Sequence, residues 1–342
     1  MPTVGIKNLR KVQLGLEGSS AGVAQAATNV LIGEGTLKDT RETVFQKGDV
    51  GQFLGNTNTR VSKLGGELAF ESEATFEQLP YTLNAAIDLA TSTADGLGSG
   101  YIYQYLMATT TPTTPTTYTL EGGDNISSDV DVMVYGYVPE FTLSGTGGEP
   151  LMLSSTWKGR SVDLAAGLAF TSDIAVPTCE SILFSRGKMW IDTSSDSIGT
   201  TTADNTLMAF ELKVNTGLQE VWTADGLADP TFSFLKMTAP EATIDITFEH
   251  DATAAAQKAA WRAQTAQRIR LTFTGSSLTT TGTVYDNKTL IIDAYGKWID
   301  IGAIDEQDGN DIVKGTLAVR YDSAGSSLSL DIIVVNELSA LT

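Results

Sequence analysis

The chain contains ELAFESEAT at residues 67–75 and DITFEHDAT at residues 245–253, an offset of 178 residues. Acidic residues align with acidic residues at three positions, and a phenylalanine aligns with a phenylalanine. A second pair of stretches, VYGYVPE at 134–140 and AYGKWID at 294–300, follows in the same order at an offset of 160. Two blocks that recur in the same order predict a duplicated domain.

Both copies of the first block alternate between polar and apolar residues, which is typical of a β-strand with one buried face. Leu68 and Phe70 point to one side in the first copy, and Ile246 and Phe248 do so in the second. The opposite side is acidic in both. We define the acidic set as the six carboxylates predicted on that side: Glu67, Glu71, Glu73, Asp245, Glu249 and Asp251.

A helix is predicted after each of these strands. Residues 252–269 are rich in Ala, Gln, Lys and Arg, which favour helix, and Trp261 is their large apolar anchor. The helix of the first copy lies within residues 75–89. Pro80 places its start near Leu79, because proline is well tolerated only in a first turn.

Each copy then continues into a predicted hairpin, and Asp308-Gly309 is the clearest turn signal. These hairpins and a final strand are predicted at residues 137–143, 151–157, 298–304, 312–320 and 328–336. The predicted fold class is therefore mainly β. It consists of two tandem similar β-sandwich or barrel domains, each with one flanking α-helix, plus an N-terminal arm and long loops.

The length of the chain also favours two domains, because single cores stop growing beyond about 250–300 residues. We predict an N-terminal arm at 1–27, a first domain at 28–170 and a second domain at 171–342. The first domain is longer between its repeated blocks, and a Thr/Pro-rich insertion within 91–117 accounts for the difference.

Charge is distributed unevenly along the chain. The formal net charge is −19, which disfavours binding of the whole chain to DNA or to anionic membranes. Residues 1–63 nevertheless carry a net charge of +3, and the remainder carries −22. A basic leading segment on an acidic body is consistent with docking between copies, and chance clustering is the alternative explanation.

Cys179 is the only cysteine, so an intrachain disulfide is impossible. The first residues lack the apolar core of a secretory signal peptide, and no window approaches the roughly 20 apolar residues of a membrane span. These features predict a chain that is made and folds in a cytoplasm.

Catalytic and metal-binding motifs are weak in this sequence. His250 is the only histidine, so a site with two histidine ligands is excluded. Residues 185–188 fit Ser-x-x-Lys without its companion motifs, and residues 96–100 lack the Gly-Lys-Ser/Thr ending of a phosphate loop. The aspartates within 305–311 do not have EF-hand spacing. We therefore predict that the protein is not an enzyme and has no catalytic, cofactor or metal site.

The order of elements points to a family. An alternating strand and a helix are followed by TLEGGD at 119–124, by Tyr135-Gly136 and by a hairpin at 140–157. The chain ends with Tyr321-Asp322 and then VVNEL at 334–338. In this order, over nearly its whole length, the chain resembles the two-domain tail tube proteins of long-tailed bacteriophages.

The resemblance implies a structural virion protein. Three such chains would form a ring that imitates sixfold symmetry, and the rings would stack into a tube. Its implied partners are further copies of the chain, the tape measure protein, and tail-tip and terminator proteins. DNA would pass through the lumen without specific binding, no membrane would be involved, and the protein would reside in the virion tail after assembly in the host cytoplasm.

Two surfaces acquire expected roles from this resemblance. Residues 29–63 are predicted as a strand, a long loop and a strand, and they match in position the loop that reaches the neighbouring ring. Their basic residues are candidates for that contact: Lys38, Arg41, Lys47, Arg60 and Lys63. The acidic set is expected to line the lumen, because a carboxylate wall repels DNA whereas a basic wall would hold it.

A second interpretation is a β-rich virion decoration or adhesin that binds surface glycans. Exposed aromatic residues would support it, and Tyr101, Tyr103 and Tyr105 are the candidates.

Overall fold

A computed structural model describes residues 6–18, 21–47, 53–54, 58–113, 116–125, 130–163, 169–194, 196–226, 229–323 and 327–341. Strands account for 54% of these residues and helices for 8%, so the predicted mainly β class is confirmed. The sheets are antiparallel throughout, and two α-helices lie within the described ranges.

The described residues of the first half form ten strands and one α-helix. In chain order they are β1 (Arg10–Leu16), β2 (Asn29–Leu31), β3 (Glu34–Phe45), β4 (Thr59–Glu73), α1 (Leu79–Ala86), β5 (Thr93–Ala94), β6 (Tyr101–Leu106), β7 (Tyr118–Asp124), β8 (Val130–Thr146), β9 (Met152–Gly159) and β10 (Ser161–Asp163).

The second half contains nine strands and the other α-helix. In chain order they are β11 (Gly187–Thr193), β12 (Leu207–Asn215), β13 (Leu218–Val221), β14 (Phe234–Met237), β15 (Glu241–Glu249), α2 (Ala252–Arg262), β16 (Gln267–Ser277), β17 (Asn287–Gln307), β18 (Asn310–Val319) and β19 (Leu330–Asn336). Short 3-10 helices at Lys7–Leu9 and Phe184–Arg186 precede β1 and β11.

One continuous sheet crosses both halves. Its strand order is β3–β4–β9–β8–β12–β15–β18–β17, and every neighbouring pair is antiparallel. The link between the halves is the pairing of β8 with β12, which runs over seven residue pairs from Thr146↔Ala209 to Glu140↔Asn215. We call this eight-stranded surface the long sheet.

A second layer of strands covers the apolar side of the long sheet. In the first half it contains β2, β1, β7 and β10, and in the second half β11, β16, β19, β6 and β5. Tyr118 of β7 meets Trp157 of β9 edge-on at 6.0 Å, and Phe273 of β16 stacks on Phe210 of β12 at 5.4 Å. These aromatic pairs join the two layers of each half.

The long strands β8 and β17 belong to both layers. The first part of β8 pairs with β7 and β10, and its later part pairs with β9 and β12. Between them lies a register shift at Tyr137/Glu140, and β17 has the equivalent shift at Trp298/Asp300. A bulge lets a strand bend and change sheets, which is how such corners are made.

Six strand pairings of the first half recur in the second half in the same order. This correspondence matches β1 with β11, β3 with β12, β4 with β15, β7 with β16, β8 with β17, β9 with β18 and β10 with β19. The halves are not two separate cores, however, because one cluster of buried apolar residues extends across both. The predicted domain boundaries at 27/28 and 170/171 therefore stay predictions.

Strand register corrects the offset of the first repeated block. Ala69 pairs with Thr156, and Asp245 pairs with Thr316. Because Thr156 and Thr316 are themselves 160 residues apart, Ala69 corresponds to Asp245, an offset of 176 rather than 178. A shift of two residues preserves the face of a strand, so the alternation survives while the individual carboxylates no longer match one to one.

Three predicted elements differ from the structure. Helix α1 begins at Leu79 as expected, but α2 ends at Arg262, and residues 267–277 form a strand. Residues 10–16, which the sequence placed in the N-terminal arm at 1–27, instead form β1 against β7, and Leu14 is fully buried. The segment 29–63 is mainly a hairpin of β3 with β4, since pairing continues out to Phe45↔Thr59.

A buried carboxyl lies where β19 joins β6. Asp331 is only 9% exposed, lies directly opposite Asp293, and accepts a hydrogen bond from Gln104 Nε2 at 2.6 Å. Burial, reinforced by the Asp293 charge and opposed by Gln104 and Arg270, raises the pKa of the Asp331 carboxyl to about 6.

We expect Asp331→Asn to stabilise the protein at neutral pH. Between about pH 4 and 6 the folded chain keeps a proton that the unfolded chain has released, so stability falls as pH rises through that window. The variant lacks this penalty, so its free energy of unfolding at pH 7.5 should exceed that of the parent by at most about 3 kcal/mol. Urea denaturation at pH 4, 5, 6 and 7.5 measures it, with Asp300→Asn as an exposed control. A gain of equal size at every pH would contradict the assignment.

Candidate functional site: the polar face of the long sheet

The outward face of the long sheet carries rows of mainly polar side chains from both halves. One row runs across six strands as Glu73, Met152, Ser144, Glu211, Asp245 and Thr316. The next row runs as Glu71, Ser154, Thr142, Lys213 and Thr243. Residues directly opposite each other on antiparallel strands share a face, so this is one surface and we call it the polar face.

The structure brings together five of the six residues of the acidic set on the polar face. Glu71, Glu73 and Glu249 are exposed, and Glu67 and Asp245 are half-buried. Their apolar neighbours on β4 and β15 point into the core, as the alternation predicted.

Asp251 is the exception, because it lies beyond the end of β15. Its side chain is the N-cap of α2 and accepts a hydrogen bond from the Ala254 amide at 2.9 Å. Such a cap stabilises a helix by about 1 kcal/mol. The alternation pattern missed this role, although an Asp directly before a run of helix formers is a recognised helix-start signal.

Sequence reasoning also missed several carboxylates of the polar face. Glu34 and Glu211 come from strands outside the repeated blocks, Glu241 begins β15, and two more carboxylates end the second pair of blocks. Strand register places all five beside the acidic set: Glu34, Glu140, Glu211, Glu241 and Asp300. The lysines on the same face are fewer: Lys38, Lys158, Lys213 and Lys314. The face is therefore acidic as a whole.

Lys213 organises the centre of this face. Its ammonium donates to Glu211 at 2.8 Å and to Asp245 at 3.0 Å, and Thr316 Oγ1 donates to the other Asp245 oxygen at 2.6 Å. These hydrogen bonds raise the pKa of Lys213. Because these two ion pairs of Lys213 are exposed, they orient the side chains more than they stabilise the fold.

The β3–β4 hairpin extends beyond the rest of the sheet. We call residues 40–63 the arm; its described strand residues are exposed or half-buried on both faces, unlike the base of the hairpin. Near its tip it exposes large apolar side chains: Phe45, Phe53, Leu54 and Val61.

The five basic candidates lie along this hairpin and are all exposed: Lys38, Arg41, Lys47, Arg60 and Lys63. Two of them have intrachain acidic partners, since Arg41 pairs with Asp39 and Lys63 pairs with Glu42 at 3.4 Å. An exposed arm with charged sides and an apolar tip has the composition of a contact surface.

The equivalent connection in the second half, residues 216–240, behaves differently. It forms the small β13–β14 hairpin and folds back, packing Phe232 against Tyr137. It also holds the base of the arm, because the Leu64 amide donates to the Pro230 carbonyl at 2.8 Å and Lys63 lies over Trp222 at 5.6 Å. Within the described residues, therefore, the first half alone projects an arm.

The remaining sequence candidates do not converge into a site. Tyr103 and Tyr105 are 1% exposed, so they cannot present a sugar-binding surface, and Tyr101 is half-buried. His250 is exposed at the end of β15. Among the described residues no three His, Cys, Asp or Glu side chains are arranged to hold a metal ion.

No helix in the described part of the chain is long and apolar enough to span a membrane. Asp308 and Gly309 both have positive φ, as the predicted two-residue hairpin turn requires. The predicted Thr/Pro-rich insertion at 91–117 contains β5 and β6, and its Thr/Pro-rich stretch at 109–117 lies between β6 and β7. Residues 114–115 within it fall outside the described ranges.

No protein-family model matches the chain, and no curated protein matches it.

Proposed function

We propose that this is a structural protein that assembles through the edges of its long sheet into rings, and that the rings stack into a phage tail tube that conducts DNA. The two halves would be duplicated tube domains, so that three chains provide six similar units. One observation carries the proposal: the free edge of β17 exposes a residue whose counterpart at the internal junction is buried.

That residue is Ile304. Its counterpart by sheet register is Leu143 of β8, since Leu143 pairs with Leu153, Ile304 pairs with Val313, and these partners are 160 residues apart. Leu143 is 1% exposed because β12 lies beside it, whereas Ile304 is 53% exposed. An apolar side chain left open at a sheet edge is typical of a strand that receives another strand.

The receiving strand follows from the same correspondence. The internal junction pairs β8 with β12, and their counterparts are β17 and β3. Within the described residues, β3 pairs only with β4, and residues 300–307 of β17 pair only with β18. A second copy can therefore add its β3 to this edge and repeat the internal junction between chains.

A contact that joins two different edges is heterologous, so it closes a ring or extends without limit. Three chains joined in this way would form a closed sheet of twenty-four strands. Barrels of about 16–18 strands already leave an aqueous channel, so the closed sheet would enclose a wider bore with the polar face inside it.

The register can be tested with cysteines. At the internal junction Ser144 faces Glu211, and the corresponding interchain pair is Asp305 with Thr36. In a Cys179→Ser background, Asp305→Cys with Thr36→Cys should form intermolecular disulfides under mild oxidation, because directly opposite strand residues lie within disulfide reach. Denaturing electrophoresis without reductant should show covalent trimers.

The matched control moves one cysteine by four residues. Asp305→Cys with Thr40→Cys should cross-link poorly, since the register places Thr40 opposite Asp300 instead. Equal cross-linking of both pairs, or a protein that stays monomeric at high concentration, would count against edge-to-edge assembly.

The acidity of the polar face suits a conduit. Carboxylates repel duplex DNA and keep a layer of water and cations between the wall and the phosphates, whereas lysines would release counterions and hold the duplex. At physiological ionic strength this repulsion decays over about 8 Å, so it acts near the wall.

Reversing charge on this face should leave assembly intact and trap DNA. For Glu71→Lys with Glu249→Lys we expect tubes of normal appearance by negative-stain microscopy, together with slower DNA ejection from particles that contain them. The neutral variant, Glu71→Gln with Glu249→Gln, should retain assembly and restore most of the ejection rate. An unchanged ejection rate in the lysine variant would show that the polar face does not line the lumen.

The arm is proposed to contact the adjacent ring. Its exposed ion pairs would contribute only about 0–1 kcal/mol each. They would therefore set the register of the contact and the rate of encounter, whereas the apolar tip would supply most of the binding free energy. Deletion of residues 38–58 would test this contact but would also remove part of β3, so substitution at the tip is the sharper test.

We expect Phe53→Asp with Leu54→Asp to give rings that do not stack, because two carboxylates cannot be buried in an apolar contact without partners. Phe53→Leu with Leu54→Met keeps the tip apolar and should still give tubes. Light scattering and microscopy distinguish rings from tubes. Stacking by the aspartate variant at the rate of the parent would exclude the tip from this role.

A further inference from the structure

The outer layer of the second half contains a cleft that the tube proposal does not use. It has a volume of about 340 Å³ and lies on β11, β16 and β17, on the side of these strands that faces away from the core. Its lining includes Trp190, Tyr285, Arg270, Thr272, Asp286 and Asn287. A cleft of a few hundred Å³ that combines aromatic and polar side chains is the usual form of a small-ligand site.

The floor of the cleft is rigid. Trp190 of β11 lies directly opposite Arg270 of β16, which lies opposite Asp293 of β17. The Arg270 guanidinium donates two hydrogen bonds to Asp293, at 2.7 and 2.6 Å, and this bidentate pairing holds its pKa above the usual value. The guanidinium is therefore fixed in place and its charge is neutralised.

Two buried carboxylates hold the walls. Asp95 accepts hydrogen bonds from the amides of Thr283 and Tyr285, at 3.0 and 2.7 Å. Asp192 accepts them from the amides of Gly199 and Thr201, both at 2.7 Å. Both carboxylates are at least 98% buried. A site whose walls are held in this way loses little conformational entropy when a ligand binds.

The corresponding face of the first half is covered by the chain itself. There the Gln25 amide donates to Thr119 of β7 at 3.0 Å, and Thr171 Oγ1 donates to Glu121 of β7 at 2.6 Å. In the second half, residues 196–199 reach the outer side of β16, since the Asp196 carbonyl accepts a hydrogen bond from the Arg268 guanidinium and Gly199 lies beside Arg270. The Trp190 side chain is half-buried. The two halves thus differ in the segments that cover this face, and the half-buried Trp190 side chain lines the cleft of the second half.

We propose that this cleft binds a neutral sugar ring of a surface glycan. The C–H face of a hexose would stack on Trp190, and its hydroxyls would meet the Thr272 hydroxyl, the Asn287 amide and the Tyr285 phenol. Burial raises the pKa of Tyr285, so its hydroxyl remains a donor at physiological pH. Asp286 adds negative charge while Arg270 is neutralised by Asp293, so the cleft disfavours anionic sugars.

The experiment titrates the purified protein with neutral oligosaccharides of glucose, galactose, mannose and N-acetylglucosamine, and with sialyllactose as the anionic comparison. Saturation-transfer NMR should show saturable binding of at least one neutral sugar at millimolar concentration or below. Trp190→Ala should abolish it, while Trp222→Ala, which removes a partly exposed tryptophan elsewhere, should leave it unchanged. Thr272→Val should weaken it about 3- to 10-fold, as expected for one lost hydrogen bond.

Circular dichroism should be unchanged in all three variants, and ring assembly should be unchanged in Trp190→Ala and Thr272→Val. These controls separate a failed site from a failed fold and from a failed tube proposal. Absence of saturable binding by every neutral sugar would overturn the inference. So would binding that survives Trp190→Ala, or binding of sialyllactose alone.

Discussion

The pairing of β8 with β12 is the contact on which the architecture depends. Seven residue pairs join strands from the two halves, so the backbone groups of β8 and β12 satisfy one another at this junction. The same pairing aligns the polar rows of both halves into one face and buries Leu143 and Leu212 beneath it. Without it, the acidic residues of the two halves would belong to unrelated surfaces.

The bend of β8 makes this pairing compatible with a two-layer core. At the corner, Tyr135 adopts φ 60° and its amide donates to the buried Glu17 carboxylate at 2.8 Å. The Arg160 guanidinium lies 4.2 Å from the Tyr135 ring and 5.2 Å from the Phe232 ring. A strained corner persists only when its surroundings specify it, and here a carboxylate, a cation and an aromatic ring do so.

The two halves share a pairing order but differ at their periphery. The first projects an arm and covers its outer face, whereas the second folds its equivalent connection back and leaves a cleft open. These differences sit in connections and outer strands, which can change without disturbing the pairing of the long sheet. In an assembly of three chains, the arm and the cleft would each recur three times rather than six.

Local sequence determined the strand faces, the start of α1 and the turn at Asp308-Gly309, because alternation, a first-turn proline and positive-φ residues act over a few positions. It also placed five carboxylates on the outward sides of their own strands, β4 and β15. Tertiary structure alone decided that β8 meets β12 and that residues 267–277 form a strand rather than extending α2. It also set the repeat offset at 176 and buried Tyr103 and Tyr105. Such outcomes depend on which distant edges and faces meet, and side-chain periodicity does not encode that.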